Sequence, residues 1–370
     1  MYKVHVRPGA RRFAVTALCV LMLVAPRAQQ QTLPSARLVS APRVDMPAAV
    51  DANVPMLWDL VDGEWRLFAL ASWGGIPALL TGGELERLQR IGVVAIAPPP
   101  GYGVWIDSVI ADESGTWYAY YHHEIPAEIC GTPQRSIPYI GSARSTDRGF
   151  TWENLGPILE APPNTFICAS SNRYIVGGVG DVSAVLSDDR QDLFLFFSEY
   201  SRNPSAQGVA VARLVWADRD APGGRVTIWQ NGAWLPAQRA VGADPEGAPS
   251  WEYPFGTPLV PVSQPWHDGH PAADAFWGPS VHWNTYLERY VMLLNRAKDE
   301  SFGTEGIYVS YAGRLDDPRA WSAPRKIMNG GGWYPQVAGL EPVNGTDKQA
   351  GQRARFFVTG RSDRYIEFQR

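Results

Sequence analysis

The 370-residue sequence carries no glycine-rich phosphate loop, no His-Glu-x-x-His and no Cys-x-x-Cys. Those absences remove the nucleotide-gripping, zinc-protease and thiol-redox motifs. Cysteine is scarce, with three in the chain, and no basic stripe suited to nucleic acid is present. The one long apolar run, Phe13 to Ala25, is too short to span a membrane. It follows Lys3, Arg7, Arg11 and Arg12 and precedes Ala28, the layout of a secretory signal peptide over residues 1–28. Cys19 lacks the small preceding residue of a lipoprotein site. Removing residues 1–28 takes away five basic side chains and no acidic ones, moving the net charge from −4 to −9. The expectation is an acidic, monomeric, secreted or periplasmic protein with no nucleic-acid or membrane partner. Residues 29–45, polar and Gln-rich, read as a flexible leader.

What is present is repetition. A short apolar run, a polar turn and an aromatic-rich strand recur at 54–73, 105–124, 180–200 and 277–297. A fifth, degenerate copy starts at 333–342 and resumes at 354–361. Each copy reads as a strand hairpin, and repeating a four-stranded unit around a ring is how a propeller protects its sheet edges. The pattern predicts an all-β fold, a five-bladed β-propeller over residues 46–370. Asp107 and Asp181 head the second and third copies, 74 positions apart. A compact blade needs only ~40–50 residues, so long loops are expected, and the 31 Pro and 36 Gly supply them. The 15 Trp, 15 Tyr and 13 Phe suit both blade packing and sugar stacking.

Residues 145–152, Ser-Thr-Asp-Arg-Gly-Phe-Thr-Trp, match S-x-D-x-G-x-T-W, the Asp-box of sialidase-like propellers. Asp147 and Ser145 are suited to bonding a tight turn, Gly149 to a positive φ, and Trp152 to covering the hairpin base. The motif is expected to staple a hairpin and do no chemistry. Cys130 and Cys168 flank it; they either pair as a disulfide, which an oxidising compartment favours, or remain buried thiols.

In an antiparallel hairpin the start of the first strand and the end of the second lie at the same end. One mouth of the ring is therefore expected to gather Asp51, Asn53 and Trp73 from the first copy, and Asp107, His122, His123 and Glu124 from the second. The third brings Asp181, Glu199 and Tyr200, the fourth Asp274, Trp277, Asn295 and Arg296, and the fifth Trp333, Tyr334 and Arg361. The opposite face receives ordinary turns. A carbohydrate is the expected ligand, with Glu124, Glu199, His122, Trp277, Arg296, Trp333, Tyr334 and Arg361 as binding residues and Trp73 and Trp105 as further stacking surfaces. Neighbours on a strand point to opposite faces, so His122 and Glu124 can share a side but the His122-His123-Glu124 run alone makes no metal site. No cofactor is expected beyond a structural calcium; His267-Asp268-Gly269-His270 offers ligands to a calcium or a transition metal if its loop folds over the mouth.

The hairpin series resembles the five-bladed glycoside hydrolases of the arabinanase and xylosidase type, over residues 46–370. Those enzymes place an acidic residue at the start of the inner strand in each of the first three blades, as general base, pKa-modulating carboxylate and general acid. The resemblance implies that Asp107, before Ser108-Val109-Ile110, modulates. It implies that Asp181, before Val182-Ser183, is the acid, where the family usually has Glu. The base position falls near Asn53-Val54, so Asp51, with Asp59 in reserve, is implied for that role. Two other readings stand beside it. A sialidase would need an arginine cluster for the substrate carboxylate, such as Arg202, Arg296 and Arg361. A non-catalytic sugar-binding propeller would need only the aromatic surfaces.

Overall fold

A computed structural model describes residues 1–3 and 33–370, except 98–102, 127–130, 132–134, 162–166, 171, 202, 244–248 and 265–272. For 204, 239–243 and 249–252 only the backbone is described. The apolar run of the expected signal peptide, the His267–His270 loop and Cys130 lie outside the described residues.

Five sheets form a five-bladed β-propeller, and the only helical elements among the described residues are short 3-10 turns. Strand β1 (Ser35–Asp45) is the outermost strand of the fifth blade. Blade one holds β2 (Met56–Val61), β3 (Glu64–Trp73), β4 (Ile76–Gly82) and β5 (Gln89–Val93). Blade two follows as β7 (Val104–Ala111), β8 (Trp117–Pro126), β9 (Ser136–Ser145) and β10 (Thr151–Leu159), with β6 (Ala95–Ala97) parallel to β10. Blade three runs through β11 (Val179–Leu186), β12 (Asp192–Tyr200), β13 (Gln207–Val215), β14 (Thr227–Gln230) and β15 (Ala233–Pro236). A separate hairpin, β16 (Arg239–Ala243) and β17 (Pro249–Glu252), precedes blade four. That blade comprises β18 (Phe276–Asn284), β19 (Arg289–Ala297), β20 (Thr304–Ala312) and β21 (Arg325–Asn329). Blade five has β22 (Gln336–Gly339), β24 (Arg353–Val358) and β25 (Arg361–Gln369), while β23 (Gln349–Ala350) pairs with β18.

Residues 35–45 are thus strand rather than the flexible leader expected from composition. β1 pairs antiparallel with β25, Ser35 opposite Gln369 and Asp45 opposite Arg361. This joins the two ends of the folded ring and covers the edge of β25. Arg37 donates through Nε and Nη2 to the same oxygen, Glu367 Oε2, at 3.0 and 2.8 Å.

Alternation along β12 explains the stacking of blades. Leu193, Leu195 and Phe197 join the cluster shared with Tyr118, Tyr120 and Ile140 of blade two. Phe194 and Phe196 join the cluster containing Val281, Tyr290 and Met292 of blade four. A strand sandwiched this way is apolar on both faces, so β12 reads as the continuous run Leu-Phe-Leu-Phe-Phe.

The 145–152 turn is held by its own side chains. Asp147 accepts from Thr151 N at 2.9 Å and from Thr151 Oγ1 at 2.6 Å, Ser145 Oγ donates to Asp147 at 2.8 Å, and Gly149 takes φ 82°. Trp152 Nε1 donates to Gly149 O at 3.0 Å.

Near the ring axis Lys348 ties three blades. Its Nζ donates to Ser108 Oγ at 3.0 Å and Ser183 Oγ at 3.2 Å, and it pairs with Asp347 at 3.2 Å.

Candidate functional site

Three inner strands break register at the same level: β7 between Ile106 and Ser108, β11 between Gly180 and Ser183, and β18 between Trp277 and Ser280. A bulge turns one side chain out of the alternating pattern. Asp107 and Asp181 occupy two of these bulges, inside their strands rather than ahead of them. Asp181 adopts φ 48°, a left-handed conformation that costs a non-glycine residue roughly 1–2 kcal/mol. The glycines before it serve close packing. A Cβ on Gly178 would stand 2.4 Å from Pro138 O, and one on Gly180 would stand 3.2 Å from Pro138 Cβ. The Gly177–Gly180 run therefore lets β11 press against blade two.

The bulges open into a pocket lined by all five blades. Its polar wall is Asp51, His122, Glu124 and Asp181, and its aromatic wall is Trp105, Tyr174, Tyr200, Trp277, Phe302, Trp333 and Tyr334. Asp51 is held by Gly74 N (3.1 Å) and Trp105 Nε1 (2.7 Å). The Trp105 ring stacks on His122. The His122 ring bonds Asp107 Oδ2 through Nδ1 at 2.8 Å, and Tyr200 donates its hydroxyl to Asp181 Oδ2. Trp277 packs edge-on against Phe302, Trp333 and Tyr334. Asn295 positions Tyr334, accepting from its N–H at 3.0 Å and donating to Gly332 O at 3.0 Å. Asp107 lies directly behind His122, fully buried. Asp107, His122 and Asp181 each offer a ligand atom, and these atoms lie within 4.8 Å of one another.

Burial and mutual repulsion shape the charges here. Burial pushes the Asp181 carboxyl up, and neighbouring Asp107 adds to this against the pull of His122, to about 6. Burial opposes charge on His122, but Asp107, Asp181 and Glu124 outweigh it and raise the imidazole to about 9. Asp51 and Glu124 are both held above the ordinary carboxylate range, chiefly by burial.

Other residues expected at the mouth lie elsewhere. Glu199 is wholly buried, with Oε1 accepting from Gly256 N at 2.6 Å. Arg296 sits over the Phe276 ring, 3.8 Å from both Asp274 and Glu305. Arg361 pairs with Asp45 at 3.1 Å, and Asp59 pairs with Arg148 at 2.9 Å. Trp73 is exposed and not part of the lining. Pro138, Tyr174, Ile175 and Phe302 line the pocket without having been expected there. Phe302 comes from the β19–β20 connection, where Asp299 Oδ1 accepts from Ser301 N and Gly303 N. An Asp followed by Ser and Gly at those offsets was the available signal.

No protein family and no curated protein matches this chain. Among solved structures, a thermostable family-43 glycoside hydrolase is 12% identical, over 88% of this chain and 92% of that one, with a TM-score of 0.50. An endo-arabinase from Bacteroides thetaiotaomicron VPI-5482 is 10% identical over 88% and 96% of the two chains, at 0.49. An α-L-arabinanase from Penicillium chrysogenum, solved with arabinobiose, is 11% identical over 86% and 80%, at 0.49. At such identities the likeness is one of fold, and this chain has the five-bladed β-propeller fold seen in the family-43 hydrolase.

Proposed function

We propose that the protein is a secreted glycoside hydrolase acting on a plant or microbial oligosaccharide or polysaccharide. The observation that carries this reading is one pocket in which the carboxyl groups of Asp51, Glu124 and Asp181 face an aromatic wall of Trp105, Trp277, Trp333 and Tyr334. Glycoside hydrolysis needs one carboxyl group to protonate the leaving oxygen and a second to activate water or attack the sugar. Aromatic faces hold the apolar side of a sugar ring and keep the reacting centre dry.

In this reading Asp181 is the acid. It is buried beside Tyr200, whose hydroxyl fixes one carboxyl oxygen. Asp51, on the rim and partly exposed, is the base, with its carboxylate oriented by Trp105 and Gly74. Asp107 acts from behind through His122. For the sialidase alternative, Arg296 and Arg361 do not line the pocket, and Arg202 lies outside the described residues.

The test is a screen of the purified mature protein against arabinans, galactans and aryl glycosides, followed by Asp181→Asn and Asp51→Asn on whichever is cleaved. Loss of a general acid or base typically lowers the rate ~10²–10⁴-fold, and full activity in both variants would reject the roles. Sugar binding without turnover by the wild type would instead support a non-catalytic carbohydrate-binding propeller.

A further inference from the structure

The buried group behind the pocket has features that hydrolysis by two carboxyls does not require. Asp107, His122 and Asp181 are all buried, with potential ligand atoms within 4.8 Å of one another. Asp107 Oδ2 faces His122, yet among the described residues Asp107 Oδ1 accepts no hydrogen bond although the residue is 0% exposed. A buried carboxylate oxygen left unpaired is costly, and an ion is one of the few partners that explains such an atom.

Charge points the same way. Four carboxyl groups, Asp51, Asp107, Glu124 and Asp181, converge on the single imidazole of His122. No Lys or Arg among the described residues lines the pocket. Lys348, near the axis, is paired with Asp347. Buried charges in proteins are paired or coordinate metals.

We propose that Asp107, His122 and Asp181 form a three-ligand site for a divalent transition cation, Zn2+ or Mn2+, open to the pocket. One imidazole nitrogen with two carboxylates suits these ions better than Ca2+ or Mg2+, which favour all-oxygen shells. Three protein ligands leave a position for water on the pocket side, where His122 and Asp181 are part of the lining. Supporting contacts are in place: Trp105 stacks on His122, and the Tyr200 hydroxyl holds Asp181. The inference goes beyond the glycosidase reading: the metal-free protein keeps Asp181 as its acid, and an ion bound by Asp181 would hold that carboxyl out of proton transfer and so suppress hydrolysis.

The experiment is equilibrium dialysis of the chelator-stripped mature protein against Zn2+ alone and Mn2+ alone, with bound metal counted by mass spectrometry. The expected result is one equivalent per chain, with affinity reduced about tenfold or more in His122→Gln and Asp181→Asn, both checked for folding by circular dichroism. In Mn2+-loaded wild type, pulsed electron paramagnetic resonance should show a directly bound nitrogen. That signal should disappear in His122→Gln and persist in the His267→Ala/His270→Ala double variant. Absence of stoichiometric binding by the wild type overturns the site, as does equal binding by His122→Gln or a nitrogen signal that depends on His267 and His270. No sugar is present at any stage, so inactivity on glycosides and failure to bind metal are separate outcomes.

Discussion

Trp105 donates its indole N–H to Asp51 at 2.7 Å while its ring lies over the His122 imidazole, centroids 5.0 Å apart and planes within 7°. One side chain thus couples the candidate base on the rim to the buried imidazole. The hydrogen bond favours the charged form of Asp51 against burial, the larger influence, which raises its pKa.

Trp105→Phe keeps an aromatic surface on His122 and deletes the donor. The Asp51 pKa should rise further, because a bond to its charged form is lost. A base must be ionised to act, so the acidic limb of the kcat/KM profile should move to higher pH on any glycoside the wild type cleaves. An acidic limb that stays in place would remove Asp51 from the role of base.

The hairpin pattern was legible because each strand interior alternates between two apolar neighbours. That alternation survives in the sequence even where blades are as irregular as the fifth. Ring closure by β1 was not legible, since its partner lies more than 300 residues away and no local signal marks it. The rule that hairpin ends share a face brought Asp51, His122, Glu124, Asp181, Trp277, Trp333 and Tyr334 to one mouth. It failed for Glu199, Arg296 and Arg361 because it fixes which end of a strand reaches the mouth, not which side of the sheet the side chain leaves from. Glu199 leaves toward Gly256 and Arg296 toward Asp274 and Glu305. Tyr174 and Phe302 arrive from connections that carry no strand periodicity.

Glu199→Gln should therefore leave turnover and ligand binding unchanged. Burial raises the Glu199 carboxyl well above its ordinary range, which favours its neutral form, and Gln is close to that form in shape. A raised carboxyl pKa contributes stability that is complete below the unfolded value, near 4.5, and is lost as pH climbs through the folded value. The variant should gain thermal stability relative to wild type at pH 8 and less so at pH 5. A large loss of activity with Tm intact would return Glu199 to the site.

Lys348→Met tests the tie across the axis. It deletes bonds from one ammonium to Ser108 and Ser183 and leaves buried Asp347 without its ion pair. Hydrogen bonds to charged groups are worth ~1.5–3 kcal/mol each, so loss of the two is expected to cost about 3–6 kcal/mol in urea unfolding. Breaking a buried pair by removing one partner costs in the same range, about 3–5 kcal/mol. A change below 1 kcal/mol would mean the three blades hold together without this link.

Cys130 and Cys168 are expected to form a disulfide around the 145–152 hairpin. By the chain-entropy estimate a loop of that length contributes ~3–4 kcal/mol. Denatured, unreduced mature protein should show no free thiol on titration with a thiol-reactive dye, and two thiols appearing only after reduction. Two reactive thiols before reduction would reject the bridge.

His282 sets a further pH dependence, separate from the pocket. It is fully buried in β18, neither ring nitrogen has a hydrogen-bond partner among the described residues, and burial with nearby Lys348 depresses its pKa to about 3. The folded chain therefore refuses a proton that the unfolded chain accepts below about 6.5. Between pH 6.5 and about 3 this single site should lower stability as pH falls, by about 1.4 kcal/mol for each pH unit. His282→Phe removes the titration and keeps a ring against Phe368. Denaturant unfolding at pH 4, 5 and 6 should show a shallower acid slope in the variant by about one proton's worth. Lys348→Met should lessen the depression and narrow the same window from its acid end. Parallel slopes for wild type and His282→Phe would mean that His282 takes up its proton in the folded state, which a ring buried without partners has no means to accommodate.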